Sequence, residues 1–183
     1  MIFFVYPMIM LFVTKKNGNP ISYGSFFKRI SPAQFLAFST SSSAATLPVT
    51  IECVRDRIGV SKEVTSFVLP IGATVNMDGT SLYQAVAAIF LAQIHLIELS
   101  FGAQMEIMLL AIMASIGSAA VPSAGLVMLM IVLSSVGLNA EWVVMIFAVD
   151  RILDMCRTVV NVTGDATVAT VIASSENDLN ITP

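Results

Sequence analysis

One stretch near the end of the chain limits what it can fold into more than any other: Asp150-Arg-Ile-Leu-Asp-Met-Cys-Arg-Thr-Val-Val-Asn-Val-Thr-Gly-Asp165. It lies inside an apolar span from Trp142 to about Ala173, yet it carries five charges. Asp150, Asp154, Arg157, Asn161 and Asp165 follow one another at intervals of four, three, four and four. At about 3.6 residues per turn they share one narrow stripe of a helix, with Thr158 beside it. The opposite face (Ile152, Leu153, Val159, Val160, Val162) is apolar. A charge at bilayer depth costs roughly 2.5–3.5 kcal/mol, so it persists where it meets a partner, an ion or water. One reading pairs the charges off as internal glue. Three carboxylates against two arginines leave a carboxylate over, and that remainder calls for a cation.

Composition agrees with a membrane setting. The chain has 183 residues, 56% hydrophobic and 11% charged, where soluble domains carry roughly 25% charged residues. A net charge of −3 gives no reason to expect nucleic acid as a partner. Cys53 and Cys156 sit in apolar helical context and read as small packed thiols without metal or disulfide spacing. His95, the sole histidine, has no nucleophile near it in sequence and reads as interfacial or packed. Residues 1–13 are apolar but too few to cross a bilayer, which takes about 20. With no basic leader or cleavage site they read as the trailing part of a spanning helix, so the chain is expected to begin inside a larger design.

The pattern then predicts a series of short pieces. Residues 14–25 form a cytoplasmic loop with Lys15, Lys16 and the turn Asn17-Gly18-Asn19-Pro20. Residues 26–58 hold two apolar halves, each too short to span, joined by the small polar run Ser39 to Thr46; such a pair reads as a re-entrant hairpin. Thr46-Leu47-Pro48 resembles a helix start, with a hydroxyl cap and an early proline. Residues 62–97 form a long apolar helix broken at Asn76-Met77-Asp78-Gly79-Thr80. Unwound backbone at such depth is tolerated where it lines a site. A second pair of halves, residues 103–138, meets at Ser115 to Gly125; the last helix covers 141–175, opened by Trp142 as interfacial anchor; 176–183 is a polar tail.

Seven of the nine Lys and Arg (Lys15, Lys16, Lys28, Arg29, Arg55, Arg57, Lys62) flank the first hairpin, whereas the second is flanked by Glu98, Glu106 and Glu141. By the positive-inside rule the two hairpins enter from opposite sides. Ser43-Ala-Ala-Thr-Leu-Pro48 echoes Ser118-Ala-Ala-Val-Pro122, and each is followed by a helix with a polar Asn/Asp break. The expected fold is therefore an all-α membrane protein, an inverted repeat of re-entrant hairpin plus broken transmembrane helix, with its site near the midplane. Helix N-termini at the hairpin tips suit a carboxylate. Arg157 can hold a second carboxylate in two parallel bonds, and Asp154, one turn away, suits an ammonium group. Asp78 and Asp165, with carbonyls freed near Asn76 and Ser115, suit hard cations. The cargo these groups describe is an acidic zwitterion accompanied by metal cations, sodium above all.

Four motifs carry a family resemblance: Ser41 to Pro48, Asn76-Met-Asp-Gly-Thr80, Ser115 to Gly125, and Leu153 to Asp165. In this order and spacing the chain resembles the dicarboxylate/amino acid:cation symporters, the glutamate transporter family. The resemblance implies the mobile transport domain, from the end of the sixth helix through hairpin one, helix seven, hairpin two and helix eight. It leaves out the N-terminal helices, which build the trimeric scaffold and complete one sodium site. It further implies that Asp154 holds the substrate amino group, and Arg157 with Thr80 the side-chain carboxylate. Ser42, Ser43, Val121, Gly125 and Asn161 would hold the α-carboxylate, with Thr158 nearby. One sodium ion would take Asp165 with the backbone carbonyls of Gly72, Asn76 and Asn161, and another the carbonyls of Thr74, Ser115, Ile116 and Ser118. A third would use Asp78 and Asn76. No other cofactor is implied. The setting would be the cell membrane, multi-pass in the lipid bilayer, with a homotrimer for the full-length protein, an elevator-like slide, and hairpin two as extracellular gate.

Two features depart from the pattern. Relatives carry an arginine at the first hairpin tip or just after the aspartate of helix eight, where this chain has Ser41 and Met155; Arg151, one turn before Asp154, is a candidate replacement. Gln84 stands where proton-coupled animal members have a glutamate. Three other readings compete with this one. A C4-dicarboxylate carrier leaves Asp154 without an ammonium partner. An intramembrane aspartyl protease would use Asp78 and Asp165, and the serines at 41–43 have no histidine base. A non-transporting fragment would keep the site and lack the scaffold.

Overall fold

Among the described residues there are eight α-helices: α1 (Val5–Lys16), α2 (Tyr23–Thr40), α3 (Ser43–Glu52), α4 (Lys62–Val75), α5 (Asp78–Ile94), α6 (Phe101–Ile116), α7 (Ala124–Ser135) and α8 (Val144–Ser175). A π-helical turn, Cys53–Ile58, extends α3, and a 3₁₀ turn, Ala140–Val143, leads into α8. The structure, a computed structural model, describes residues 1–16 and 21–180, with the side chains of 12–16 left aside. The expected turn Asn17 to Pro20 and residues 181–183 of the tail lie outside the described residues. Among the described residues there is no strand, only an isolated antiparallel bridge between Val60 and Leu179. The fold of the described residues is all-helical.

Helix α8 is the axis. Its 32 residues extend on the order of 48 Å at about 1.5 Å per residue, and α1, α2, α3, α4 and α5 all pack against it. Every residue from 161 to 167 is buried, so over about two turns the helix has no free face. The apolar core falls into two main clusters at either end of the charged stripe. One gathers Phe26, Ile30, Val54, Ile58 and Leu69 around Ala166, Ala169 and Ala173 of α8. The other gathers Ala88, Leu91, Ile107, Leu129 and Leu133 around Ile146. The charged residues of α8, Asp150 to Asp165, lie between the two clusters along the chain.

Local chemistry sets the breaks. The hydroxyls of Ser42, Ser61 and Ser100 cap α3, α4 and α6, accepting from the backbone N–H of Ala45, Val64 and Ala103. The start of α3 therefore falls at Ser42, not Thr46, and Pro48 lies inside the helix. Ser42 wins because its side chain accepts the orphan N–H three residues on. After α4 the chain leaves helical geometry at Asn76 (φ −86°, ψ 82°) and Met77 (φ −107°, ψ 47°). The corresponding break in the last helix does not occur: α8 runs unbroken through Asn161 and Asp165. Asn161 instead turns its amide oxygen outward to the N–H of Gly79, 2.7 Å away, and so caps α5 across the helix interface.

Other side chains fall where burial and stacking put them. His95 stacks on Trp142, ring centroids 3.5 Å apart and planes 8° apart, which joins the end of α5 to the entry of α8. Cys53 is buried, but Cys156 is exposed on α8, so only the first is the packed thiol expected. Large apolar side chains stand in the open on several helices, among them Phe35, Phe67, Phe101, Met113, Val144 and Phe147. Such a surface marks contact with lipid or with further protein. Among the described residues no helix is long and apolar enough to cross a membrane; α8 has the length, but the charged stripe runs through it.

Candidate functional site

The tips of the two helical pairs, the break between α4 and α5, and the stripe of α8 meet around one small cavity of about 20 Å³. Its walls are Ser41 and Ser43, Met77 and Thr80, residues 118–121 with Gly125, and Asp154, Arg157, Thr158 and Asn161 of α8. Of the nine residues expected to hold substrate, eight line it, and the ninth, Ser42, closes it. The Ser42 hydroxyl donates to the Ala120 carbonyl at 2.7 Å, and the Ala44 N–H reaches the same oxygen at 3.4 Å. A space of this size holds about one water, so no molecule of amino-acid size fits while these tip-to-tip bonds stand.

Three helix N-termini converge on this cavity, those of α3 at Ser43, α5 near Thr80 and α7 near Gly125. Their first N–H groups lack intrahelical partners, and their dipoles add partial positive charge. The side chains of α8 answer two of them. Asp154 Oδ2 accepts from the Ser123 N–H at 2.8 Å, just ahead of α7, and Asn161 caps α5. The Asn161 amide also donates to Thr80 Oγ1 and Met77 Sδ, each at 3.3 Å. The Thr158 hydroxyl turns back to the Asp154 carbonyl at 2.8 Å.

Arg157 is the centre of charge. Its side chain is 4% exposed and lies between two carboxylates, donating from Nε to Asp154 Oδ1 at 2.8 Å and from Nη1 to Asp150 Oδ1 at 3.0 Å. The guanidinium sits 4.3 Å over the ring of Tyr83, whose hydroxyl donates to the same Asp150 oxygen at 2.8 Å. Nη2 is buried and has no hydrogen-bond partner among the described residues. The fork is thus held on three sides and offers its remaining donor, an arrangement suited to a carboxylate. Asp150 and Tyr83 were not among the expected site residues. Asp150 was visible on the stripe, two turns before Arg157; nothing in the sequence pointed to Tyr83.

Close backbone approach is built in at two glycines. A Cβ on Gly79 would collide with the backbone carbonyl of Arg157, and one on Gly125 would come within 3.0 Å of its Nη2. The first obstacle is backbone and cannot swing away. Gly79→Ala is therefore expected to lever α5 from α8 and destabilise the protein by about 1–3 kcal/mol or more. A lowered melting temperature of the purified protein would register it, and an unchanged one would mean the two helices are not this close.

The expected cation residues divide. Asp165 is buried, its Oδ1 accepting from Asn76 Nδ2 at 2.9 Å, and a Cβ on Gly72 would stand 2.5 Å from the same oxygen. Gly72, Asn76 and Asp165 are therefore together, with no basic partner for the carboxylate among the described residues. The Asn161 side chain is engaged with α5, and the atom expected to join them is its backbone carbonyl. Asp78 Oδ2 accepts from the Tyr6 hydroxyl at 2.8 Å. Of the remaining set, Ser115 and Ser118 are buried while Thr74 and Ile116 are exposed, and no hydrogen bond among the described residues joins Thr74 to the other three. Among the described residues no cluster of three or more His, Cys, Asp or Glu exists. Single carboxylates with amide and carbonyl oxygens are the donors of hard monovalent ions rather than of zinc-type metals. Arg151 is exposed and does not line the cavity, so it does not supply the arginine absent at Ser41 and Met155.

The sequence has known relatives. Residues 1–175 match the model of the sodium:dicarboxylate symporter family. The chain belongs to that family. It is 52% identical over 160 residues to an excitatory amino acid transporter of Caenorhabditis elegans, covering 87% of this chain and 31% of that protein. It is 49% identical over 170 residues to excitatory amino acid transporter 5 of Homo sapiens, with 93% and 30% covered. Against excitatory amino acid transporter 2 of Mus musculus it is 51% identical over 160 residues, with 87% and 27% covered. The chain thus spans about a third or less of the length of these relatives. The family is one of transporters, not enzymes, which removes the protease reading.

Proposed function

We propose that this chain forms the substrate-carrying part of a sodium-coupled symporter for an acidic amino acid, glutamate or aspartate. The observation that carries the reading is the Arg157 fork, held by Asp150, Asp154 and Tyr83 with one buried donor to spare, in a cavity where three helix N-termini converge. Arg157 with Thr80 takes the side-chain carboxylate. Asn161 and the backbone at Ser42, Ser43, Val121 and Gly125 take the α-carboxylate beside Thr158, and Asp154 takes the ammonium group. Binding then exchanges partners: Asp154 turns from Arg157 and Ser123 toward the substrate, and Arg157 turns toward the new carboxylate.

Sodium travels as co-substrate. Asp165 with Gly72, Asn76 and the Asn161 carbonyl holds one ion; Thr74, Ser115, Ile116 and Ser118 hold a second once α6 and α7 close; Asp78 and Asn76 hold a third. The two helical pairs re-enter the lipid bilayer from opposite sides in an inverted repeat, and the second pair is the gate. Parting the Ser42–Ala120 contact is its opening step. In the cell membrane the whole unit slides against a trimeric scaffold supplied by other segments.

The intact gene product in proteoliposomes tests this. An inward sodium gradient is expected to raise labelled aspartate uptake about 5- to 150-fold over a choline gradient, the usual range of coupling between two ligands. Equal uptake in choline would overturn the reading. Unlabelled succinate and malate are expected to compete poorly, since neither carries an ammonium for Asp154; strong competition would favour a C4-dicarboxylate carrier.

A further inference from the structure

Tyr6 is the one polar side chain of α1 seen at the site, and the cation residues do not account for it. It is buried, 4% exposed, on a helix that is otherwise apolar up to its end. Its hydroxyl lies 2.8 Å from Asp78 Oδ2 on α5 and 3.3 Å from the Val160 carbonyl on α8. A phenol has one proton. Given to the nearer and charged acceptor, it holds Asp78 Oδ2 and leaves the Val160 carbonyl beside the phenol oxygen without that proton. No donor among the described residues reaches Asp78 Oδ1. Tyr6 and Asp78 also line a cavity of about 320 Å³ with Gly164, so the carboxylate is accessible from that side.

The fit around the hydroxyl is tight. A Cβ on Gly164 would stand 2.8 Å from the Tyr6 oxygen and 2.7 Å from Asn76 Nδ2. Asn76 in turn donates to Asp165. One phenol therefore touches α5 and α8 at the point where the residues of two cation sites adjoin.

We propose that Tyr6 is a positioning residue for the cation at Asp78: its hydroxyl fixes Oδ2 and leaves Oδ1 and the Val160 carbonyl to face the ion. This rests on the sodium-coupled reading above and adds to it a residue from α1. Tyr6→Phe removes the one hydrogen bond and little volume. In the intact gene product, sodium-dependent binding of labelled aspartate is measured at graded sodium. The variant is expected to raise the half-saturating sodium concentration about tenfold, the size of one hydrogen bond to a carboxylate, while aspartate affinity at saturating sodium stays within about twofold. A merely structural role would reduce the amount of active protein and move neither quantity.

The double variant Tyr6→Phe/Asp78→Asn is expected to match Asp78→Asn alone, because the hydroxyl acts through that carboxylate. Additive effects, or an unchanged half-saturating sodium concentration in Tyr6→Phe, overturn the proposal. If Tyr6→Phe fails to accumulate, Gly164→Ala keeps the hydroxyl but displaces it, and the same shift in sodium dependence is expected; its absence overturns the proposal equally. A wild-type protein that binds aspartate without regard to sodium overturns the symport reading itself, a different result from a sodium-dependent wild type with an indifferent variant.

Discussion

Arg157→Thr is expected to lower aspartate affinity by about 100-fold or more, within the 2–5 kcal/mol typical of cutting one partner from a buried charge pair. The same variant is expected to admit small neutral amino acids such as serine. The argument is one of what remains. Without the fork, Asp154 still has the Ser123 N–H, Asp150 still has the Tyr83 hydroxyl, and the helix N-termini are untouched. Recognition of an ammonium and an α-carboxylate survives, and recognition of a second carboxylate does not. The loss also leaves two buried carboxylates facing the space of their lost cation, a defect worth about 3–5 kcal/mol of stability. Adding Asp150→Asn should recover part of the stability without restoring aspartate binding, which separates the two effects. Competition by unlabelled serine and aspartate against a labelled neutral substrate reads the switch. Retention of wild-type aspartate affinity would remove Arg157 from the site.

Much of this site was legible because α8 carries it on one face. The spacing of Asp154, Arg157, Asn161 and Asp165 fixes their common direction without any tertiary knowledge, and the small-residue tips at Ser41 to Ala45 and Ser118 to Gly125 mark where backbone approaches closely. What the pattern could not show was which partner each polar group chooses. Asn161 reads as a helix breaker, yet α8 continues through it because its side chain satisfies Gly79 of α5 instead of its own backbone. Thr46 and Pro48 read as a helix start, but Ser42 already caps that helix. Tyr6 lies 72 residues from Asp78 in an apolar run, where a lone phenol carries no periodic signal. Arg151 sits one turn from Asp154, and only the helix's rotation against its neighbours shows that it faces outward. Local periodicity gives direction; choice of partner is a tertiary property.

Asp165→Asn should separate stability from coupling by moving them in opposite senses. The Asp165 carboxylate is buried, accepts from one amide of Asn76, lies against Gly72 and meets no basic side chain among the described residues. Burying such a charge uncompensated is costly, and a bound cation is what offsets it. In sodium-free buffer the isosteric amide removes that cost, so the variant is expected to melt higher than the wild type. In sodium the order reverses. A ligand at about 100 times its dissociation constant stabilises by about 2.7 kcal/mol, which is a rise of a few degrees in melting temperature. The wild type should show such a sodium-induced rise and the variant should lose most of it, along with sodium-driven uptake. Thermal melts of the intact gene product with sodium and with choline give both quantities in one experiment. A variant less stable than the wild type without sodium, yet still stabilised by it, would make Asp165 a packing residue and move the cation elsewhere.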